Sequence, residues 1–178
     1  MWRWDKGEDM SKKEHHNRPD LIGEHRIGDA GQLISFILFI LVWISDGFIL
    51  KKTIFLNDIV PLYIRLPLAV ITLAVSTYLV ITSISIIFGE KREKPEVVRK
   101  AIYGKIRHPM YVSEILLYLG LLCLNFSLAA GGVCLLIIIF FYGICRYEEK
   151  ILIEHFGNEY KDYIKEVPMW IPRLGKKK

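Results

Sequence analysis

Four apolar runs crowd into 178 residues, and they constrain the fold more than any other feature of the chain. Gly31 to Leu50 and Leu62 to Phe88 each reach the roughly 20 residues needed to cross a hydrocarbon core of about 30 Å. Met110 to Phe126 and Ser127 to Cys145 follow, separated only by the polar break Asn125–Ser127, which leaves room for nothing but a tight helical hairpin. A soluble domain built from four such runs would have too few polar faces to coat its surface. In lipid, helices satisfy their own backbone polar groups, so the same runs become spans. The sequence therefore predicts an all-α, polytopic membrane protein with about four transmembrane helices, near 31–50, 62–88, 110–126 and 127–145.

The basic residues test this map independently of hydropathy. Six precede residue 31, two lie in 51–61, seven in 89–109, none in the 125–127 turn and eight in 146–178. That alternation places both termini and the 89–109 loop in the cytoplasm, with Lys51–Pro61 and the Asn125 turn outside. The net charge of +5 is thus mainly a topology signal. No basic stripe interleaved with aromatics points to nucleic acid. The remaining organisation is a polar, interfacial segment over 1–30, one membrane domain over 31–174 and a basic tail over 175–178.

Residues 1–30 lack the apolar core of a cleavable signal peptide. Trp2 and Trp4 suit a membrane interface, and the His15–His16 pair, without further ligands, reads as solvated polypeptide rather than a metal site. Cys123, Cys134 and Cys145 all fall in the spans with no Cys/His motif beside them, so they read as packing residues, implying neither disulfide nor zinc.

Chemistry concentrates in two clusters. In the first, Tyr103-Gly104-Lys105-Ile106-Arg107-His108-Pro109-Met110-Tyr111 re-enters the membrane. Pro109 suits the first turn of a helix. Singly, Arg107, His108 and Tyr111 are ordinary interface anchors; together they put a guanidinium, an imidazole and a phenol at one helix entrance, which favours an anionic ligand group. The second cluster, Arg146-Tyr147-Glu148-Glu149, lies where the last span leaves the membrane and leads to Phe156-Gly157-Asn158-Glu159-Tyr160. Cys145, Glu149, Leu152 and Phe156 share one helical face, so Glu149 can point inward, although the segment alone also reads as a solvated amphipathic helix along the membrane surface with Glu148 and Glu149 merely charged; Gly157 reads as a helix stop before a C-terminal amphipathic segment. A hairpin with its turn outside brings Arg107–Tyr111 and Arg146–Glu149 to the same cytoplasmic end.

Tyr103 through Tyr111, the Glu148-Glu149 pair and Phe156-Gly-x-x-Tyr160 resemble the isoprenylcysteine carboxyl methyltransferase and phospholipid methyltransferase superfamily of integral membrane enzymes, over roughly residues 85–174. The resemblance implies S-adenosylmethionine as cofactor and a lipid-like acceptor. It implies that Tyr103, His108, Tyr111, Glu148 and Glu149 bind the cofactor, and that Arg107, Arg146 and Glu149 act in catalysis. Two departures leave the acceptor open. Members acting on prenylcysteine usually carry an Arg four residues before the Glu pair, where this chain has Ile144, with Arg146 two positions later. Phospholipid N-methyltransferases usually show a Gly-x-Gly element upstream, and this chain has only the isolated Gly89 and Gly104. A phospholipid N-methyltransferase, a reductase on the same helical core, and a non-catalytic scaffold or transporter subunit are the alternatives; inverted repeats or mid-membrane polar residues, which transport predicts, are not evident. Glu114, about one turn above Tyr111, is the intramembrane carboxylate to watch, while Asp46 and Arg65 fall near the outer ends of their spans.

Overall fold

The computed structural model describes residues 26–89 and 95–173, with side chains from residue 28 onward. Trp2, Trp4, His15, His16 and the tail from residue 175 lie outside the described residues. All regular structure among the described residues is helical. Helix α1 spans Arg26–Ile44 and continues as a π-helical segment, Ser45–Leu50. A single turn, α2, follows at Leu56–Ile59. The long α3 covers Leu62–Phe88. A 3₁₀ turn at Ala101–Gly104 leads into α4, Pro109–Leu124, then α5, Leu128–Phe156, and the short α6, Asn158–Glu166.

Three of these helices are long and apolar enough to cross a membrane: Gly28–Leu50, Leu62–Phe88 and Leu128–Phe156. Their outward faces carry bare apolar side chains such as Ile71 and Leu136, the latter 67% exposed, which suits contact with lipid tails rather than water. The third expected span differs. The run 110–126 forms a helix of 16 residues, about 24 Å long, because Asn125 turns extended to make room for the hairpin. The last apolar run behaves in the opposite way. Its helix does not end at Cys145 but continues for 11 more residues, because Arg146–Phe156 keeps one apolar face and holds no breaker before Gly157.

Local sequence explains the joints. Pro109 occupies the first turn of α4, where its missing N–H leaves no gap. Ser127 caps α5: its hydroxyl accepts from Ala130 N at 3.1 Å and donates to Asp46 Oδ2 at 2.6 Å, pinning the hairpin turn to the end of α1. Beside it, Asn57 Nδ2 donates to Asn125 Oδ1 and Asn125 Nδ2 to Gly47 O, while Arg65 donates to Asn57 and to Leu124 O. Asp46 and Arg65 thus anchor this end through separate partners rather than pairing with each other. At Gly157 the backbone takes φ +58, which glycine adopts without strain, and the chain turns directly into α6.

The helices pack as two layers. α3 lies along α4 and α1 along α5. A Cβ at Gly120 would approach Leu73 to 2.7 Å, so its absence sets the close α3–α4 distance. The core, Phe39, Tyr118, Cys134, Ile137, Phe141 and Cys145 among others, fills the space between α1, α4 and α5, with Phe39 stacked on Tyr118 at 4.4 Å. Cys134 and Cys145 are buried and Cys123 is half-buried; all three are free thiols.

Candidate functional site

The entrance of α4 and the middle of α5 meet at the end of the bundle opposite the Asp46–Ser127 joint. Glu148 and Glu149 are both buried there, and two adjacent carboxylates out of water require cations and donors around them. Glu149 receives three. Arg107 Nη2 lies 2.8 Å from Glu149 Oε1, with side chains only 6% and 3% exposed. His108 Nε2 lies 3.2 Å from the same oxygen. Arg146 Nη1 reaches Glu149 Oε2 at 3.3 Å from a side chain that is 60% exposed. Glu148 takes the remainder: Tyr111 donates its hydroxyl to Oε1 at 2.5 Å, and His108 Nδ1 lies 3.5 Å from Oε2.

His108 therefore bridges the pair. Burial, the largest single influence, pulls its pKa down, but contacts with Cys145, Glu148 and Glu149 together outweigh it and hold the imidazole well above its ordinary value. As an imidazolium it presents one N–H to each carboxylate. Tyr111 packs edge-on against Phe141 at 5.2 Å, fixing the phenol between the core and Glu148.

The C-terminal segment locks the entrance from outside. Arg107 N donates to Pro168 O at 3.0 Å and His108 N to Met169 O at 3.2 Å, while Arg107 Nη1 donates to Ile164 O at 3.1 Å. Tyr163 donates to Tyr103 O at 2.6 Å, and Arg99 reaches Glu159 O and Glu166. Tyr160 and Tyr163 are pushed up in pKa by burial, so both stay neutral. Between these pieces lies a cavity of about 120 Å³, lined by Tyr103, Arg107, Phe156, Tyr160 and Tyr163 among others. Arg107 Nε is buried with no hydrogen-bond partner.

Six of the seven residues singled out from sequence thus converge directly: Arg107, His108, Tyr111, Arg146, Glu148 and Glu149 form one connected network. Tyr103 stands one step away, buried and joined through its carbonyl to Tyr163. Sequence reasoning did not find Gly28. A Cβ there would lie 2.8 Å from Glu148 Oε1 and 2.9 Å from the Tyr111 hydroxyl, so α1 closes the site with bare backbone. Nor did it find the carbonyls of Ile164, Pro168 and Met169, whose identity carries no side-chain signature. Glu114 sits apart from the network, hydrogen-bonded by Tyr118.

The phospholipid methyltransferase family matches residues 64–159. A methanethiol S-methyltransferase of Crocosphaera subtropica is 27% identical over 151 residues, covering 83% of this chain and 50% of that protein. The cobalt-zinc-cadmium resistance protein CzcN of Cupriavidus metallidurans is 33% identical over 84 residues, 47% of this chain and 38% of that protein. The chain spans half or less of the length of these curated relatives. No solved structure gives a significant match. Since the matched segment covers more than half of the chain and holds the whole Arg107–Glu149 network, the chain belongs to the phospholipid methyltransferase family.

Proposed function

We propose that the chain is an integral membrane methyltransferase that uses S-adenosylmethionine and delivers the methyl group to a lipid-like acceptor whose nucleophile is a carboxylate or a thiol. The observation that carries this reading is the convergence of Arg107, His108 and Tyr111 on the buried Glu148–Glu149 pair, inside the family-matched segment.

The donor set suits that cofactor. Glu148 and Glu149 offer carboxylate oxygens to an ammonium or to ribose hydroxyls, the unspent Nε–H of Arg107 suits a carboxylate, and the tyrosine-walled cavity beside it suits one face of a flat base. When bound, S-adenosylmethionine supplies an activated methyl on a sulfonium, which leaves alignment and exclusion of water to the protein. Tyr111 and His108 hold Glu148 in one orientation. Arg107 holds Glu149 while the C-terminal segment holds Arg107. Phe141, Ile144 and Cys145 keep water from the inner side. Arg146, exposed at the rim, is placed to meet an anionic acceptor group. A carboxylate acceptor arrives ionised and needs no base, whereas a thiol must release its proton, for which Glu148 Oε2, 3.5 Å from His108 Nδ1, offers an acceptor atom. The thiol half of the reading draws support from the methanethiol S-methyltransferase relative. The site lies on the cytoplasmic side by the distribution of basic residues.

The deciding experiment incubates protein in bilayers with methyl-labelled S-adenosylmethionine and total membrane lipids. Label should enter a lipid-extractable product. A methyl ester is lost in alkali and forms at a rate nearly flat above about pH 5. A thioether survives alkali and forms faster as pH rises. Alkali-stable label on phospholipid amines would replace the acceptor class, and label confined to water-soluble products would end the lipid-acceptor reading. Calorimetry that finds no binding of S-adenosylmethionine or S-adenosylhomocysteine by folded protein would remove the cofactor.

A further inference from the structure

The end of the bundle away from the Arg107–Glu149 network holds a charged cavity of its own. It measures about 510 Å³ and lies between the end of α1, the start of α3 and the hairpin turn; Trp43, Phe48, Lys51, Leu62, Arg65 and Leu124 are among its lining residues, and none of the network is.

Arg65 is the unusual member. It stands near the start of α3 and is only 8% exposed, and a buried guanidinium calls for a counter-charge. Among the described residues no carboxylate pairs with it. Its Nη1 donates to the neutral oxygens of Asn57 and Leu124, its guanidinium carbon lies 5.6 Å from the centre of the Phe126 ring, and its Nε is buried without a hydrogen-bond partner. Asp46, the buried acid at this end, is already occupied by Ser127, Thr53 and the backbone N–H of Lys52.

Lys51 brings a second positive charge to the same cavity. It closes the π-helical end of α1 with φ +53, a left-handed conformation uncommon for a residue other than glycine, and its N–H donates to Asp46 O at 2.8 Å. Irregular turns of this kind are frequent where a helix end serves a site. The Lys51 side chain is exposed and makes no hydrogen bond or ion pair among the described residues. The cavity therefore gathers two cations and no anion. Its depth selects the anion that meets them: the spans Gly28–Leu50 and Leu62–Phe88 both terminate here, at the level where lipid headgroups lie over hydrocarbon. Phe48 and Leu62, 54% and 55% exposed, offer apolar surface beside the charges, which a free inorganic anion would leave unused.

We propose that this cavity binds the phosphate of an anionic glycerophospholipid, with Arg65 and Lys51 supplying the charge and Phe48 and Leu62 meeting the start of its acyl chains. The lipid is a resident of the fold rather than the methyl acceptor, and the proposal stands apart from the chemistry at the Arg107–Glu149 network. By neutralising Arg65 it ties the end of α1 to α3 and the hairpin turn.

Native mass spectrometry of the full chain released from detergent micelles counts retained lipid and tests this. Phosphatidylglycerol and phosphatidylcholine with the same acyl chains are offered to wild type, Lys51→Gln, Arg65→Gln and Lys52→Gln, with sn-glycerol 3-phosphate as a soluble competitor. Wild type should retain phosphatidylglycerol over phosphatidylcholine by about tenfold. Lys51→Gln should reduce that preference about fivefold and Arg65→Gln should abolish it. Lys52→Gln, which removes an equal charge from an exposed neighbour that does not line the cavity, should leave it unchanged. Phosphatidylglycerol should also raise the unfolding temperature of wild type more than that of Lys51→Gln. The same preference in Lys51→Gln as in wild type would overturn the proposal, and so would an equal loss in Lys52→Gln, which would reduce the effect to diffuse surface attraction. Displacement of the lipid by sn-glycerol 3-phosphate would make the ligand a soluble phosphate and overturn the lipid assignment. Because the Lys51 side chain holds no polar contact in the fold, Lys51→Gln decides the matter on its own where Arg65→Gln fails to fold.

Discussion

Glu149 accepts from Arg107, His108 and Arg146, and that concentration of positive charge on one buried oxygen pair makes each partner's removal consequential. Charge-assisted hydrogen bonds contribute about 1.5–3 kcal/mol, and an unpaired buried charge costs more than the bond itself returns. His108→Ala and Glu149→Ala should each weaken S-adenosylmethionine binding by at least about tenfold, measured by calorimetry. His155→Ala, at an exposed position of the same helix, should change it little. Normal binding by both site variants would reduce the network to a structural anchor. His108 also sets a pH dependence. Its folded pKa is raised above the ordinary 6.5, with Glu148, Glu149 and Cys145 raising it against burial, and with Arg107 and Tyr111 completing its surroundings. A raised histidine contributes stability that is complete below the unfolded value and disappears as pH climbs through the folded one. Thermal unfolding in detergent should therefore show wild type losing stability from about pH 6.5 upward, with His108→Gln lacking that loss. Parallel pH profiles for the two proteins would show that His108 is neutral in the fold.

At the scale of elements, the joints that position the network are contacts of backbone with backbone or with small side chains. Gly28→Ala would drive a methyl group into the Glu148–Tyr111 hydrogen bond, and overpacking of this kind costs about 1–3 kcal/mol. The variant should unfold earlier and bind cofactor more weakly, while Gly143→Ala, with open space around its Cβ, should do neither. Ser127→Ala removes the cap of α5 at about 1 kcal/mol, and its effect should appear as lower thermal stability without a change in cofactor affinity, since the cap lies at the far end of the bundle. These joints mark what was legible in the sequence and what was not. Pro109, the polar break at Asn125–Ser127 and Gly157 each announce a helix boundary through their own backbone chemistry. Helical spacing allowed Glu149 an inward face, and the hairpin topology favoured it over a solvated one. Gly28 carried no such signal, because a glycine is needed there only for what α5 and α4 bring against it. The π-helical end of α1 and the carbonyls of Pro168 and Met169 are equally invisible, as they depend on tertiary contact and on no side-chain pattern.

For the whole molecule, helix lengths and charge together predict how the site sits relative to the membrane. α5 has 29 residues and runs about 44 Å, so it exceeds a hydrocarbon core of about 30 Å by roughly nine residues. Counted from Leu128, that excess begins close to Glu148, so a hydrocarbon layer starting at Leu128 would end near the carboxylate pair. The Asp46, Asn57, Asn125 and Ser127 contacts gather Lys51–Pro61 and the hairpin turn at one end, and the Arg99–Glu166 and Arg107–Glu149 pairs gather 95–107 and α6 at the other. With two basic residues in 51–61 against seven in 89–109 and eight in 146–178, the network end should face the cytoplasm. Lys52→Cys and Lys161→Cys, both at exposed positions, report the two ends once the three native thiols are replaced by alanine. A membrane-impermeant maleimide should label the cysteine at 52 in intact cells and the one at 161 only after permeabilisation. The reverse pattern would put the network outside, away from the cytoplasmic supply of S-adenosylmethionine. That outcome would separate the geometry of the site from the cofactor assigned to it.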